Sequence, residues 1–352
     1  MTRPPDFPFE HKPFVPRRWL GNGHAMTVFA WARRREFPGL PAPEPRLFQT
    51  GPETQVLARC YWQPERSAVP TLVALHGLEG STEAHYMRGL AAKAWAQGWN
   101  AVLLNQRNCG GTEHLTPTLY HSGLTEDPLT VMRTLARDDG LKDIGVVGYS
   151  LGGNLTIKLA GELAARPDVP VFAVAAVSPT IDLERCVRAI ERKTNIAYQF
   201  NFVRNLKRRM RRMADKWPGR YDIRRLGSIW TIRAFDQAYT APSHGYAGAS
   251  DYDHRASAMR VVDRIGIPAL IITSEDDPFV PAAQFNAAVV RNNPNIVVRI
   301  ERRGGHCGFA ADAGDDDGYW AETTALRFLS RALSGSPERP SRTQAPSLAL
   351  RV

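Results

Sequence analysis

The sequence predicts an α/β fold, with a mostly parallel central sheet, helices on both faces and a helical insertion. Short, continuously apolar segments alternate with helical segments along 71–182 and again along 263–335. Strands that are apolar throughout are typical of parallel sheets covered on both faces. The alternation is interrupted at 183–262, which predicts an insertion between two strands. A chain of 352 residues with 43% hydrophobic content can bury such a core.

Each element has its own local signal. Val, Ile and Leu fill the strands, and turn-forming residues bound them; the predicted strands are 53–62, 71–77, 100–107, 144–150, 171–179, 268–277 and 296–301. Helical periodicity marks the segments between them; the predicted helices are 83–97, 126–138, 151–165, 281–292 and 319–334. Gly98 follows the first of these helices, at the position where glycine commonly ends a helix.

These elements divide the chain into four parts. Residues 1–52, which begin with a Pro-rich stretch, are expected to form an N-terminal arm. Residues 53–182 and 263–335 form the α/β core, and 183–262 form a cap insertion over the site. The tail 336–352 is rich in Pro, Ser and Arg, a composition typical of disorder.

Positive charge is concentrated in the insertion. The formal net charge is +10, and 198–225 contain ten Lys or Arg and two Asp, a net charge of +8. Apolar residues recur there at helical spacing: Phe202, Leu206, Met210 and Met213. Basic residues lie between them: Lys207, Arg208, Arg209, Arg211 and Arg212. Two interpretations of this basic amphipathic helix are open. In the first, its apolar stripe packs on the core and its charged side chains are solvated; in the second, it contacts anionic lipid headgroups. Nucleic-acid binding is not expected, since no nucleic-acid-binding fold is recognised.

The cysteines and the N-terminal sequence bear on location. The four cysteines show neither a C-x-x-C pair nor a zinc-type spacing, which favours a reducing compartment and no metal site. The N-terminus lacks the apolar region of a signal peptide, and no run of 18 apolar residues occurs. We therefore expect a cytoplasmic protein. Peripheral binding at the inner face of the membrane is an additional hypothesis. The oligomeric state is not predicted.

Residues 148–152 read Gly-Tyr-Ser-Leu-Gly, the G-x-S-x-G pattern of a nucleophile elbow. In such an elbow the serine lies on a sharp turn between a strand and a helix, and the backbone comes so close that flanking side chains would clash. Gly148 and Gly152 remove those side chains. Because an apolar strand precedes the pattern and a helix follows it, Ser150 is the candidate nucleophile.

A serine hydroxyl needs a base to take its proton. After a nucleophile elbow, the partners follow in the order acid, then histidine. Asp277 lies just past the apolar stretch PALIITSE (268–275), at the end of the predicted strand, and His306 comes just after the strand at 296–301. We expect His306 to act as the general base and Asp277 to orient it. The adjacent Asp276 stays open as the acid, since only geometry can separate the two.

Acyl transfer also needs hydrogen-bond donors for the developing oxyanion. The backbone N–H of Leu151, directly after the candidate nucleophile, is one predicted donor. Leu78 follows the strand at 71–77 and supplies the second predicted donor. His76 in the same loop is expected to shape the loop and not to act as a second base.

These landmarks together resemble the α/β-hydrolase superfamily, and in finer detail its family 4, the YheT-like proteins. The matching segments are GNGHAMT (21–27), LHGLEGS (75–81), YMRGLA (86–91), NQRNCGG (105–111), YHSG (120–123), GYSLGGN (148–154), DDPFVP (276–281) and GGHCGF (304–309). One departure is Asn108, where the family more often has Gly. The resemblance implies the α/β-hydrolase fold and a triad of Ser150, Asp277 and His306. It also implies hydrolysis of carboxylic esters, either short-chain esters or acylglycerols.

The predicted function is ester hydrolysis through an acyl-serine intermediate, with a small-molecule ester as substrate and without a cofactor. An acyltransferase would use the same triad, because the first half-reaction is identical. A non-catalytic membrane-surface binding protein is the third hypothesis, although such a protein would not need an activated serine.

Overall fold

An eight-stranded sheet forms the centre of the protein in a computed structural model that describes residues 12–314 and 317–335. Its strands are β1 (Glu44–Gly51), β2 (Thr54–Tyr61), β3 (Thr71–Leu75), β4 (Asn100–Leu104), β5 (Ile144–Tyr149), β6 (Val171–Val177), β7 (Ala269–Ser274) and β8 (Ile296–Glu301). Their spatial order is β1-β2-β4-β3-β5-β6-β7-β8. β2 runs antiparallel to both neighbours, and all other pairs are parallel. The predicted α/β-hydrolase fold, with a mostly parallel sheet, is confirmed.

Helices cover both faces of this sheet. The α-helices of the described residues are α1 (Gly23–Ala32), α2 (His85–Ala96), α3 (Glu126–Asp139), α4 (Leu151–Glu162), α5 (Leu183–Ile190), α6 (Ile196–Lys216), α7 (Ile232–Phe235), α8 (Ala241–Ser243), α9 (Ala249–Ala256), α10 (Ala288–Arg291) and α11 (Trp320–Ser334), and α5 to α9 belong to the insertion between β6 and β7. In β3, Leu72 and Ala74 pack in the core layer formed with α1, α2 and α11. Val73 and Leu75 pack on the opposite side, with α3 and α4. Both faces of the strand are thus buried, which explains its unbroken apolar sequence.

The N-terminal segment differs from the expected arm. Residues 1–52 contain α1 and also β1, which pairs with β2 as an edge strand of the core sheet. The core therefore includes residues before 53. β1 is hard to recognise because only Phe48 along it is fully buried, so its alternating pattern is weak.

The segment after β7 contains less α-helix than the sequence predicts. The helix predicted at 281–292 is instead a 3-10 turn (Ala282–Asn286) followed by the short α10. Extended backbone at Ala287 separates the two.

Asn108, the departure from the family pattern, has a φ of 60°, a left-handed conformation that asparagine tolerates better than most residues. The predicted tail 336–352 lies outside the described residues.

The segment between β6 and β7 contains α5 to α9, and we call 183–262 the cap segment. The apolar stripe of α6 packs on the core through Leu206, Met210 and Met213, as one of the two sequence interpretations expects. Arg209, however, is buried, with 2% of its surface exposed. Its placement among the solvated charges was therefore wrong, because the buried face of α6 is wide enough to include it.

Two observations relate to location. All four cysteines are free thiols. Within 12–314 and 317–335, none of the helices has both the length and the apolar character that crossing a bilayer requires.

Candidate active site

Ser150 lies at the sharp turn between β5 and α4. Its φ of 54° and ψ of −117° place a residue other than glycine in a strained backbone region. A Cβ added at Gly148 would come within 2.1 Å of the carbonyl oxygen of Gly152, and one at Gly152 within 2.4 Å of that of Leu75. The two glycines are therefore required by close backbone approach, as the elbow pattern predicts.

A chain of hydrogen bonds runs from this serine through a histidine to an aspartate. Ser150 Oγ and His306 Nε2 are 2.9 Å apart, so the hydroxyl donates to the ring. On the other side of the ring, Nδ1–H donates to Asp277 Oδ2 over 2.9 Å. Asp277 Oδ1 in turn accepts from the backbone N–H groups of Phe279 and Val280 at 2.9 and 3.0 Å, which fix the carboxylate. The structure thus brings together the three residues predicted to act together.

Asp276, the alternative acid, has a different partner. Its Oδ1 accepts from the backbone N–H of Gly305, 2.9 Å away, and its Oδ2 is buried without a hydrogen-bond partner among the residues that the structure describes. Of the two adjacent carboxylates, Asp277 is therefore the one that contacts the His306 ring, whereas Asp276 braces the loop that carries it.

The electrostatics of His306 depend on two opposing effects. Burial alone would lower the pKa of this imidazole, but the adjacent Asp277 carboxylate outweighs burial and raises the pKa well above its ordinary 6.5. The protonated ring is thereby stabilised, which favours the form that arises when the ring takes a proton from Ser150.

The helix α1 also supports the loop of His306, a contact that sequence reasoning missed. The backbone N–H of His306 donates to Thr27 Oγ1 over 2.8 Å, and the Thr27 hydroxyl donates to the Gly23 carbonyl over 2.7 Å. A Cβ at Gly23 would lie 1.9 Å from the carbonyl oxygen of Asp276. The segment GNGHAMT, noted only as a family match, carries these contacts.

Two backbone N–H groups are available beside Ser150. Among the described residues, neither Leu78 N–H nor Leu151 N–H donates to another protein group. Leu151 is the first residue of α4, where N–H groups have no helical partner. Gly77 lets the Leu78 loop approach, since its added Cβ would be 3.2 Å from Ser150 Cβ. Both predicted oxyanion donors therefore lie beside the serine.

His76 holds the base of this loop. It is fully buried, its Nδ1–H donates to the Gly77 carbonyl over 2.8 Å, and its Nε2 accepts from Gln106 N–H over 3.1 Å. Burial lowers the pKa of His76 to about 4, so the ring is neutral near pH 7. These contacts agree with the expected loop-shaping role.

A buried ion pair joins the cap segment to the residue after Leu78. Arg209 Nε donates to Glu79 Oε1 over 2.8 Å, and its guanidinium lies 4.6 Å from the centre of the Tyr120 ring. The Tyr120 hydroxyl donates to the same carboxylate oxygen and accepts from Glu79 N–H. We call Glu79, Tyr120 and Arg209 the Glu79 cluster. Sequence reasoning missed it, because nothing local indicates that one arginine of a basic run turns inward.

Two cavities meet at the candidate nucleophile. An inner cavity of about 100 Å³ lies under the cap segment, and an outer cavity of about 540 Å³ lies between α1, α2 and α6. Both are lined by the same five residues around the hydroxyl: Leu78, Ser150, Phe202, Phe279 and His306. A ligand bound in either cavity can therefore reach the serine.

Comparisons with known proteins agree with this architecture. A family model described as the alpha/beta hydrolase family matches residues 72–316. The YheT protein of Escherichia coli (strain K12), whose name proposes an esterase, is 35% identical over 91% of this chain and 94% of its own length. Human phospholipase ABHD3 is 27% identical over 71% of this chain and 60% of its own length.

A monoacylglycerol lipase of Saccharomyces cerevisiae is 26% identical over 74% of this chain and 59% of its own length. Among solved structures, the Pyrococcus furiosus esterase Pf2001 superposes with a TM-score of 0.53 at 15% identity, covering 91% of this chain and 99% of that one. At that identity the likeness concerns the fold alone. The family match and the identity to YheT place this chain in the alpha/beta hydrolase family, as a YheT-like member.

Proposed function

We propose that the protein is a serine hydrolase that cleaves carboxylic esters through an acyl-serine intermediate. One observation carries the proposal: a hydroxyl, an imidazole and a carboxylate are joined by two hydrogen bonds of 2.9 Å beside two available backbone N–H groups. This set of groups is what acyl transfer needs, namely a base-activated nucleophile, an oriented base and an oxyanion site.

The first half-reaction forms the acyl-enzyme. Ser150 Oγ attacks the ester carbonyl carbon while its proton moves to His306 Nε2. The N–H groups of Leu78 and Leu151 donate to the oxygen that becomes negative in the tetrahedral intermediate. Asp277 stabilises the imidazolium, which then gives its proton to the departing alcohol.

In the second half-reaction, water attacks the acyl carbonyl carbon while its proton moves to His306 Nε2. The bond between Ser150 Oγ and the acyl group then breaks, His306 returns the proton to Oγ, and the carboxylic acid leaves. If an alcohol took the place of water, the same groups would perform acyl transfer. Product analysis with and without added alcohol separates the two activities.

The names of the relatives support esters as the substrate class. They denote an esterase, a phospholipase and a monoacylglycerol lipase, which are names of enzymes that hydrolyse esters or lipids. The mainly apolar walls of the outer cavity suit such substrates. We therefore propose short-chain esters or acylglycerol-type lipids, with no cofactor in the reaction.

The test is labelling by a fluorophosphonate probe, which reacts with activated serines, on the wild type and on Ser150→Ala. We expect labelling of the wild type only, followed by turnover of a p-nitrophenyl ester panel. Absence of labelling in the wild type would argue against an activated serine, and equal labelling of both proteins would mean that another residue is the nucleophile.

A further inference from the structure

The entrance of the outer cavity lies between two helices. Val28 and Trp31 of α1 line it on one side, and Ala197 and Asn201 of α6 line it on the other. Close to it, His24 Nδ1 of α1 and the Tyr198 hydroxyl of α6 are 3.2 Å apart. The outward surfaces of α1 and α6 therefore border the route by which a ligand reaches the serine.

Large apolar side chains are exposed on both of these helices. Trp31 is 74% exposed and Val28 48% on α1, while Ile196 is 66% exposed and Phe200 56% on α6. We call these four side chains the apolar rim. Clustered exposed apolar residues indicate an interaction surface, since a monomeric protein in water gains nothing from them.

The outward face of α6 continues from apolar into basic residues, of which Arg204 and Arg211 are exposed and Lys207 is half-buried. At 100° per residue, Ile196, Phe200, Arg204, Lys207 and Arg211 fall within an arc of about 80°, next to the face that lines the cavity. We call the last three the basic strip. Lys207 Nζ also lies 4.7 Å from the ring centre of Trp230, a further exposed aromatic residue.

Apolar residues beside a basic strip match the chemistry of a bilayer surface. Anionic phosphates attract lysine and arginine, while exposed tryptophan, phenylalanine and isoleucine enter the layer between headgroups and acyl chains. Without Arg209, which is buried against Glu79, residues 198–225 contain nine Lys or Arg and two Asp, and this net charge of +7 has the required sign. A nucleic acid would use the basic strip but would leave the aliphatic members of the rim, Val28 and Ile196, in water.

We propose that α1 and α6 dock on a bilayer that contains anionic phospholipid, with the apolar rim inserted and the basic strip at the level of the phosphates. A lipid ester then moves from the bilayer into the outer cavity without crossing water. This delivery step rests on the proposed ester hydrolase function, whereas the docking itself does not.

Co-sedimentation of the full chain with vesicles tests the docking. Vesicles of phosphatidylcholine alone are compared with vesicles that also contain phosphatidylglycerol. We expect the wild type to bind the mixed vesicles more tightly, and added salt to weaken that binding. Each basic residue near an anionic surface contributes about 1 kcal/mol, so the triple variant Arg204→Gln, Lys207→Gln and Arg211→Gln should bind about 100-fold more weakly.

Matched controls separate the proposed surface from general effects. Lys142 and Arg264 are exposed and precede the amino ends of β5 and β7, at the sheet edge opposite the serine. Replacing both with Gln should weaken vesicle binding by no more than about fivefold, because both residues lie far from the proposed contact surface and the attraction to an anionic membrane falls off with distance. For the rim, Ile196→Ser with Phe200→Ser should weaken binding at least tenfold, while Leu47→Ser on β1, which is 50% exposed, should not.

The outcomes are distinguishable. The docking proposal fails if wild-type binding is independent of phosphatidylglycerol, if both strip and rim variants bind like their controls, or if a DNA duplex binds more tightly than the mixed vesicles through the same strip. Fluorophosphonate labelling of the wild type without vesicles reports on the proposed function alone. Loss of docking with intact labelling therefore refutes only the docking, and vesicle binding without labelling refutes only the hydrolase.

Discussion

Arg209 connects the cap segment to the residue after a proposed oxyanion donor, and we expect Arg209→Met to be costly. The Arg209 and Glu79 side chains are only 3% and 8% exposed, so the variant leaves a buried carboxylate without its cation. At about 4 Å and an effective dielectric constant near 20, the pair attraction is about 4 kcal/mol. Removing one partner of a buried pair costs about 3–5 kcal/mol, and Tyr120 still donates to Glu79, which favours the lower value, about 3 kcal/mol.

Equilibrium unfolding in urea measures this cost. The double variant Glu79→Gln with Arg209→Met should recover most of the lost stability, because no unpaired charge remains buried. We expect a coupling energy of about 2 kcal/mol or more between the two positions. Arg208→Met is the matched control: Arg208 is the exposed neighbour in α6, and its replacement should change the unfolding free energy by about 0.5 kcal/mol at most.

The same substitution has a kinetic consequence. If the Glu79 cluster positions Leu78 N–H, Arg209→Met should lower kcat for a soluble ester by up to about 100-fold with little change in KM, because an oxyanion donor acts mainly in the transition state. Equal stability and equal kcat in Arg209→Met and Arg208→Met would refute the reasoning. A rise in KM alone would assign Arg209 to substrate binding instead.

The remaining predictions concern the site itself. Asp277→Asn should lower kcat about 10⁴-fold in p-nitrophenyl ester turnover, as expected when the histidine loses its orienting carboxylate, whereas Asp276→Asn should lower it far less; similar losses would contradict the assignment. Because the pKa of His306 is raised, the acid limb of kcat/KM should have its midpoint above pH 6.5, and a midpoint at or below 6.5 in a pH–rate profile would count against the ion pair. The same raised pKa predicts that the pair's contribution to the unfolding free energy is complete below pH 6.5 and is lost as the pH rises through the folded-state value. Gly23→Ala should lower both the melting temperature and fluorophosphonate labelling, because its Cβ would meet the Asp276 carbonyl at 1.9 Å. Gly21→Ala is its control, since within the described part of the chain a Cβ at Gly21 would have no atom within 4 Å apart from its chain neighbours.

Local patterns were sufficient for β2 to β8 and for the elbow. The apolar run of β3 and the spacing of Gly148 and Gly152 each have one physical cause, burial on both faces in the first case and close backbone approach in the second. The chain order of partners after the elbow then indicated His306 as the candidate base and the adjacent pair Asp276 and Asp277 as candidate acids. Sequence could not separate Asp276 from Asp277, since the difference lies in where each carboxylate points.

Contacts between distant segments were not predictable in this way. Thr27 and His306 are 279 residues apart, and Arg209 and Glu79 are 130 apart, so no window of sequence contains both partners. The amphipathic pattern of α6 predicted its apolar stripe but not the burial of Arg209. Periodicity shows which side chains are apolar, and it does not show that a charged side chain has a buried partner elsewhere in the chain. The edge strand β1 was not recognised because its alternation of apolar and polar residues is weak, and four of its eight residues are exposed.

The hydrogen bond between Thr27 and His306 has a consequence for biosynthesis. Ser150 leaves the ribosome 156 residues before His306, and at about 5–20 residues per second this interval lasts about 8–30 s. During that time the nascent chain contains Ser150 but not yet His306, and α1 has been made before the loop that it contacts. On the proposed function, ester cleavage therefore begins only after the loop of His306 has been made and has met α1, which was synthesised 279 residues earlier.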